Sequence, residues 1–175
     1  MLKELPDVSS LESLYKMYKN QIYTLCVRLT GSKTHADDLF GDTWIKVAEK
    51  MNNIKKEKNP MNWIYTVCLN IYRKSAPKWK EIDVSDDFFN DDNTTEIFGK
   101  DSNTEELIIE KETMMQLQKA VSKLNDKYRI PIILFYFRSF SYKEIAEIMK
   151  LPMSTVKFRL NYAKELLKKE MEVSL

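Results

Sequence analysis

Apolar residues recur every three or four positions along most of the chain, and few segments alternate apolar and polar residues as a half-buried strand does. The first apolar stripe covers residues 11–29, with Ser10 placed to cap its start and Gly31 its end. A second predicted helix begins at Thr34 and continues to about Met51. This pattern, in a chain with only 3 glycines and 5 prolines, predicts an all-α protein.

A polar, lysine-rich loop over residues 52–59 precedes a third predicted helix, residues 61–74. This helix mixes apolar residues with aromatics, asparagines and cations, a mixture that suits a surface for unstacked single-stranded bases. A core helix with a charged outer face is the alternative interpretation. Trp63 is expected to face the core. Three further aromatic residues cannot all lie inside: Tyr65, Tyr72 and Trp79.

Residues 81–104 are acidic and polar and keep no apolar period, which predicts a flexible linker between two small helical domains, residues 1–80 and 105–175. In the second domain, Asp126 is expected to cap a helix that contains Pro131. A proline inside a helix removes a hydrogen bond at a cost of about 3 kcal/mol. The helix therefore either starts late, near residue 130, or is kinked.

The net charge of +2 hides an uneven distribution of charged residues. Residues 81–112 hold 12 acidic and 2 basic residues, whereas residues 51–80 hold 7 basic residues and 1 acidic one. Residues 113–175 hold 12 basic and 6 acidic residues. Two basic segments on either side of an acidic middle suggest contact with a polyanion at two places. A solvated surface with an acidic tether is the alternative.

Two short helices with a tight break between them close the chain, from Phe140 onward. Ser141 and Glu144 have capping-box spacing, residues 150–152 interrupt the helical pattern, and Ser154 is the expected cap of the second helix. This layout places the second helix to enter a DNA major groove. Its outer face carries donors, cations and aromatics: Thr155, Lys157, Phe158, Arg159, Asn161 and Tyr162. Helical hairpins are also a generic packing motif, so periodicity alone leaves both interpretations open.

Candidate chemistry for an enzyme is missing from the sequence. The single histidine, His35, lies at a predicted helix start, and no Gly-rich phosphate loop, metal-ligand cluster or nucleophile–base pair is present. Cys26 and Cys68 fall inside apolar stripes and are expected to be reduced core residues. No apolar run resembles a signal peptide or a membrane span, which favours a cytoplasmic protein. The missing motifs favour a protein without cofactors, metal or small-molecule substrate.

The chain resembles the extracytoplasmic-function (group IV) sigma factors of bacterial RNA polymerase, along nearly its whole length and in two blocks. The first block joins HADDLFGDTWIKVAEK, residues 35–50, to NWIYTVCLNIYRK, residues 62–74. The second joins LNDKYRIPIILFYF, residues 124–137, to SYKEIAEIMKLPMSTVKFRL, residues 141–160. Each block is moderately specific, and the two together at this spacing are strongly so.

The resemblance implies a transcription initiation factor whose partners are core RNA polymerase, promoter DNA and, as is common in the family, an anti-sigma factor. An acidic helix would dock on the clamp helices of the polymerase β′ subunit through Asp37, Asp38, Asp42, Trp44 and Lys46. The minus-ten element would be melted by Lys55, Lys56, Lys58, Asn62, Tyr65, Asn70, Arg73, Lys74 and Lys78, with the loop over residues 52–59 accepting a flipped base. The minus-thirty-five element would be recognised by Ser154, Thr155, Lys157, Phe158, Arg159 and Asn161.

The chain departs from the family pattern where sequence recognition is decided. Family members usually carry Gln in place of Gly41 and often Gly in place of Lys150, which is expected to be strained if left-handed. Phe158 replaces a small residue, and Asn161 and Tyr162 are also unusual. The promoter sequence therefore does not transfer from the family. The alternative function is a helix-turn-helix regulator that acts without polymerase, its N-terminal domain serving for oligomerisation or ligand binding.

Overall fold

A computed structural model describes residues 10–54, 59–79 and 105–173. Every regular element in these ranges is helical, which confirms the predicted fold class. The chain divides into two compact units, one holding the helices up to Trp79 and the other most of the chain from Glu105 onward. The predicted linker, residues 81–104, lies outside the described residues. Within the described part, no helix combines the length and the apolar character needed to cross a bilayer.

The first unit is built from four helices: α1 Leu11–Thr30, α2 Lys33–Glu49, α3 Met51–Ile54 and α4 Pro60–Trp79. At the start of α1 the Ser13 backbone N–H donates to Ser10 Oγ at 3.1 Å, and at its end Gly31 adopts a left-handed φ of 64°. Both predicted ends are therefore confirmed. Only glycine takes this backbone conformation without a Cβ clash, so the position suits its residue.

The core of the first unit lies where α1, α2 and α4 pack on one another. Leu25, Leu39 and Leu69 are fully buried there, and each such side chain contributes about 1.5–3 kcal/mol relative to exposure. The sulfurs of Cys26 and Cys68 lie 3.8 Å apart and both residues are buried free thiols. The hydrogen bond to Cys68, together with burial, raises the pKa of Cys26, so the two cysteines serve as core residues, as predicted.

Two helix boundaries of the first unit differ from the predictions, and Met51–Ile54 form the short helix α3 where the loop over residues 52–59 was expected to begin. Helix α2 starts at Lys33 rather than at Thr34, because the Ala36 N–H already donates to the Ser32 carbonyl at 2.9 Å. Helix α4 continues through Pro77 to Trp79 instead of ending near residue 74. Proline has a helical φ but no N–H, so α4 lacks the hydrogen bond from residue 77 to the Arg73 carbonyl near its end.

The second unit contains α5 Glu105–Lys123, α6 Asp126–Ile132, a π-helical turn Ile133–Phe137, α7 Tyr142–Met149 and α8 Met153–Val173. The cap of α6 is Asn125 rather than Asp126, since the Lys127 N–H donates to Asn125 Oδ1 at 3.1 Å. Because α6 starts there, the predicted late start near residue 130 is wrong. Pro131 lies inside α6, and the π-helical turn begins two residues later.

The core of the second unit contains the predicted stripe of α8. Val156, Leu160 and Ala163 are buried, whereas Leu167 is partly exposed. Ile130 and Leu134 are also buried in this unit. The opposite face of α8 is therefore left to solvent, and its side chains form the candidate site.

Candidate nucleic-acid interface

The turn between α7 and α8 fixes the direction of α8 relative to α7. The Ser141 N–H donates to Glu144 Oε2 at 2.9 Å and the Glu144 N–H donates to Ser141 Oγ at 3.3 Å, which confirms the capping box. Lys150 ends α7 in a left-handed conformation with φ of 55°. The Leu151 N–H then donates to the Ala146 carbonyl at 3.0 Å, so a Schellman turn closes the helix.

A lysine in this turn is strained, as its sequence position predicted. The left-handed conformation costs a residue with a Cβ about 1–2 kcal/mol, and most helices end such a turn with glycine. The Lys150 side chain is exposed, so it adds a cation at the corner between the two helices.

Helix α8 begins one residue before its predicted cap. The Val156 N–H donates to the Pro152 carbonyl at 3.2 Å, so Met153 is the first helical residue and Ser154 lies in the first turn. The structure therefore does not support Ser154 as the N-cap. Ser154, Lys157, Phe158 and Asn161 are exposed on the outer face, and Thr155 and Arg159 are half-buried beside them. All six predicted residues thus lie within the first three turns of one helix.

Aromatic rings continue this outer face onto α6. Phe158 stacks on Tyr162 with ring centroids 6.0 Å apart and planes 13° apart, and Tyr162 lies 5.0 Å from the Tyr128 ring. The Lys127 ammonium lies 4.8 Å from the centroid of Tyr128. Tyr128 was not predicted from the sequence, because its contact with Tyr162 joins residues 34 positions apart on different helices.

Besides Lys127 of α6, two lysines of α8 lie over tyrosine rings. Lys157 Nζ is 5.8 Å from the Tyr142 ring, and Lys164 Nζ is 5.8 Å from the Tyr136 ring in the π-helical turn. A hydrogen bond from Lys164 to Tyr136 raises the pKa of Lys164. The face of the second unit around α8 therefore combines positive charge with aromatic surface.

Helix α4 separates its predicted site residues into two groups. Asn70, Arg73, Lys74 and Lys78 are exposed at helical spacing and form one basic stripe. Tyr65 has 0% of its surface exposed, which contradicts its predicted place on a base-stacking surface. It belongs to the stripe that carries Cys68, Leu69 and Tyr72 into the core. Asn62 is also buried, three residues before Tyr65 on that stripe. Lys55, Lys56 and Lys58 lie outside the described residues.

Helix α2 presents an acidic face around an exposed apolar residue. Asp38 and Asp42 are exposed on this face. Ile45, which is 61% exposed, lies on the same face, one turn after Asp42 and two turns after Asp38. Ile45 was not among the residues predicted from the sequence, although its spacing from Asp38 and Asp42 places it on this face.

The other predicted residues of α2 make contacts inside the chain. Asp37 accepts a hydrogen bond of 2.8 Å from the Tyr23 hydroxyl, and Lys46 Nζ lies 2.6 Å from Glu49 Oε2. Trp44 is buried, with its ring 5.0 Å from that of Tyr15. Trp44 therefore packs beneath the acidic face and exposes little surface to a partner.

His35 has a structural contact. Its ring stacks on Trp79 with centroids 5.1 Å and planes 20° apart, joining the start of α2 to the end of α4. Among the described residues, no group of three His, Cys, Asp or Glu side chains could hold a metal ion.

Two known family models match this chain, one in each unit. The family model for Sigma-70 region 2 matches residues 14–75, which hold most of α1 and the helices up to α4. The model for Sigma-70, region 4 matches residues 114–167, which include α6, α7 and the exposed part of α8. The chain belongs to the extracytoplasmic-function sigma factors. As a sigma factor it directs RNA polymerase to promoters and is not an enzyme.

Curated relatives of this sigma factor match along almost their entire length. The extracytoplasmic-function sigma factor SigW of Bacillus subtilis (strain 168) is 27% identical over 177 residues, which cover 94% of this chain and 90% of SigW. The sigma factor YlaC of the same organism is 29% identical over 169 residues, covering 94% of each protein. In both cases the alignment extends over the region 2 and region 4 matches together.

A solved structure supports the fold of this sigma factor. The sigma factor RpoE, crystallised with the anti-sigma factor NepR from Bartonella quintana, matches with a TM-score of 0.66 and 20% identity. The match covers 94% of this chain and 98% of RpoE.

Proposed function

We propose that this sigma factor contacts promoter DNA at two separate places. In this proposal the domain of residues 105–175 recognises the minus-thirty-five element through the outer face of α8. The domain of residues 1–80 binds core polymerase and melts the minus-ten element, and residues 81–104 join the two. The observation that carries the proposal is the exposure of Lys157, Phe158 and Asn161 on the first three turns of a helix that follows a tight interhelical turn.

The geometry of α7 and α8 favours contact with the major groove. The second helix of such a pair enters the groove with its N-terminal residues against the base edges. Lys157 and Arg159 supply positive charge for phosphates or for guanine acceptors, and Asn161 can pair with adenine. Phosphate contacts position the helix and base contacts give it specificity, so both kinds of side chain are needed on one face.

The basic stripe of α4 supports a different kind of contact. Arg73 and Lys74 are exposed side by side, and Lys78 follows one turn later. Cations at this spacing suit the phosphates of a single strand, and we assign Lys55, Lys56 and Lys58 to the same element on the family resemblance alone. Because Tyr65 is buried, we assign α4 to holding the strand by charge and do not assign base stacking to that residue. Opening a base costs a few kcal/mol, which several phosphate contacts and the polymerase must offset together.

The acidic face of α2 is the proposed docking surface for core polymerase, at the clamp helices of the β′ subunit. Asp38 and Asp42 are exposed for ion pairs with a basic partner, and Ile45 supplies apolar surface between them and the end of the helix. An apolar centre with charged residues around it is typical of a protein interface. Asp37, Trp44 and Lys46 contribute by positioning this face.

An anti-sigma factor is a further proposed partner. RpoE was solved in complex with an anti-sigma factor, and it shares the fold of this chain. Because polymerase and promoter DNA are cytoplasmic, we also propose that the protein acts in the cytoplasm.

The test uses purified core polymerase, the full chain and three pairs of substitutions. Run-off transcription, core binding, promoter binding and the permanganate reactivity of the minus-ten element are measured for each. Lys157→Ala with Arg159→Ala should weaken promoter binding and leave core binding intact. Asp38→Ala with Asp42→Ala should weaken core binding. Arg73→Ala with Lys74→Ala should leave core binding intact and reduce permanganate reactivity of the opened minus-ten thymines.

A matched control comes from the same helix as the promoter contact. Lys168→Ala with Lys169→Ala removes two exposed cations near the end of α8 and should change promoter binding much less than the pair at 157 and 159. Equal losses from both pairs would contradict the assignment of the outer face. Promoter-specific binding by the chain alone, with no effect of core polymerase, would instead support the regulator alternative.

A further inference from the structure

Phe158 is the most exposed large apolar side chain among the described residues, at 63% of its surface. It lies in the second turn of α8, on the outer face. An aromatic ring left in water is unfavourable, and packing inside the unit does not explain its position here. An apolar contact with a bound partner would explain it.

The ring of Phe158 lies against a neighbouring ring. It stacks on Tyr162 at 6.0 Å, and Tyr162 in turn contacts Tyr128 at 5.0 Å. These three residues form the aromatic row, which ends at the Lys127 ammonium, 4.8 Å from the Tyr128 ring. A ring restricted by a stacked neighbour loses less conformational freedom on binding than one without a neighbour, so it is suited to a specific contact.

The charges beside the aromatic row favour DNA as the partner. Lys157 and Arg159 flank Phe158 in the sequence, and Lys127 lies at the far end of the row. Cations at both ends of an apolar stripe match phosphates on the two sides of a groove, with base edges between them. A basic protein surface would be repelled by the same cations.

The major groove offers one apolar group to such a ring, the C5-methyl of thymine. The other base edges present donors or acceptors, which phenylalanine cannot satisfy, so they would lose hydrogen bonds to water beside the ring. Resting on the proposed function of α8, we propose that Phe158 is a specificity-determining residue that selects thymine at one position of the minus-thirty-five element. Tyr162 acts as its positioning residue.

The experiment removes only the methyl group from the DNA. A preferred minus-thirty-five sequence is first selected from a randomised library with the complete polymerase–sigma complex. Each thymine of that element is then replaced in turn by deoxyuridine, and the affinity of the complex is measured. For the wild-type chain we expect a loss of roughly three- to five-fold at one position, the size expected for one methyl group leaving an apolar contact.

The same uracil substitution is then measured with variants of the aromatic row. Phe158→Ala should abolish the difference between thymine and uracil while the protein stays folded by circular dichroism. Tyr162→Ala should reduce the difference, whereas Tyr162→Phe, which keeps the stacked ring, should preserve it. This rescue separates positioning from a general loss of affinity, because the readout is a ratio between two DNAs.

Three outcomes would overturn the inference. These are an equal affinity of the wild-type complex for thymine and uracil at every position, a uracil effect that persists in Phe158→Ala, and a selected element without thymine. In each of these, recognition of the element itself still holds, so the proposed function survives. A complex that selects no sequence at all at the minus-thirty-five element would contradict the proposed function of α8 as well.

Discussion

Helices α4 and α8 have similar compositions and place their aromatic side chains in opposite environments. Both combine cations with asparagine and aromatic residues, two asparagines and four aromatics in α4 and one asparagine and two aromatics in α8. In α4, Tyr65 is fully buried and Tyr72 is buried beside it, whereas in α8 Phe158 and Tyr162 are 63% and 44% exposed. Residue type alone would have assigned the same role to both pairs. Position relative to the buried stripe distinguishes them.

The packing of the two helices explains the difference. Helix α4 packs against both α1 and α2, so only a narrow stripe, from Asn70 to Lys78, remains for solvent. Cations occupy that stripe because burying them would cost far more than burying a tyrosine. Helix α8 keeps a broad face free over its first three turns. Aromatic residues remain outside there, where a partner can use them.

The largest expected effect separates the buried ring from the exposed one. Tyr65→Ala should lower the free energy of unfolding by about 3–5 kcal/mol, the range for a buried aromatic residue that leaves a cavity. Phe158→Ala should change it by less than about 0.5 kcal/mol, because the lost ring is mostly in solvent. Urea unfolding followed by circular dichroism measures both. Equal losses in the two variants would remove the contrast between α4 and α8.

A smaller effect is expected at the turn that directs α8. Lys150→Gly should raise the free energy of unfolding by about 1 kcal/mol, because glycine relieves the left-handed strain but loses more chain entropy on folding. For a domain of this size the thermal midpoint rises by about 4–8 °C. The matched control is Lys150→Ala, which removes the charge and keeps the Cβ. If alanine stabilises as much as glycine, charge repulsion rather than backbone strain is the cause.

Replacing a glycine with alanine inside a helix is expected to stabilise the first unit. Gly41 lies inside α2, and a Cβ added there would meet no atom within 4 Å. Gly41→Ala should therefore gain about 0.5–1 kcal/mol from helix propensity alone. Thermal unfolding checks the gain, and core binding of the same variant checks whether this part of α2 needs a glycine. A loss of stability would mean that the space beside Gly41 is filled in the folded protein.

The smallest effect concerns an exposed ion pair of the second unit. Lys123 Nζ lies 2.7 Å from Glu170 Oε1, and the two side chains are 69% and 44% exposed. Lys123→Ala should change the free energy of unfolding by less than about 0.5 kcal/mol, because water screens such pairs. Glu170→Ala is the matched variant and should behave alike. A loss above 1 kcal/mol, measured by urea unfolding, would show that charged pairs on this surface are structural.

Local signals in the sequence predicted much of the fold. The Ser10 cap, the Gly31 end and the Ser141–Glu144 capping box are confirmed because each depends on residues within one turn. The left-handed Lys150 is confirmed for the same reason. Helix starts were displaced by one or two residues where two neighbours could cap, as at Asn125 and Asp126. Such choices depend on small energy differences that tertiary packing decides.

The candidate site was less predictable, because its geometry depends on contacts between helices. Spacing placed the cations of α8 correctly on its outer face. It could not show that α4 is covered on two sides, so Tyr65 was assigned to the surface. Nor could it bring Tyr128 to Tyr162, or Tyr136 to Lys164, since these pairs form only when helices pack.

The central claim is that α8 supplies one of two separate promoter contacts. The most direct measurement is transcription from a promoter library randomised at both elements, with core polymerase and either the wild-type chain or the Lys157→Ala, Arg159→Ala variant. We predict that the variant loses sequence preference at the minus-thirty-five element and keeps the wild-type preference at the minus-ten element. An unchanged minus-thirty-five preference, or an equal loss at both elements, would contradict the account.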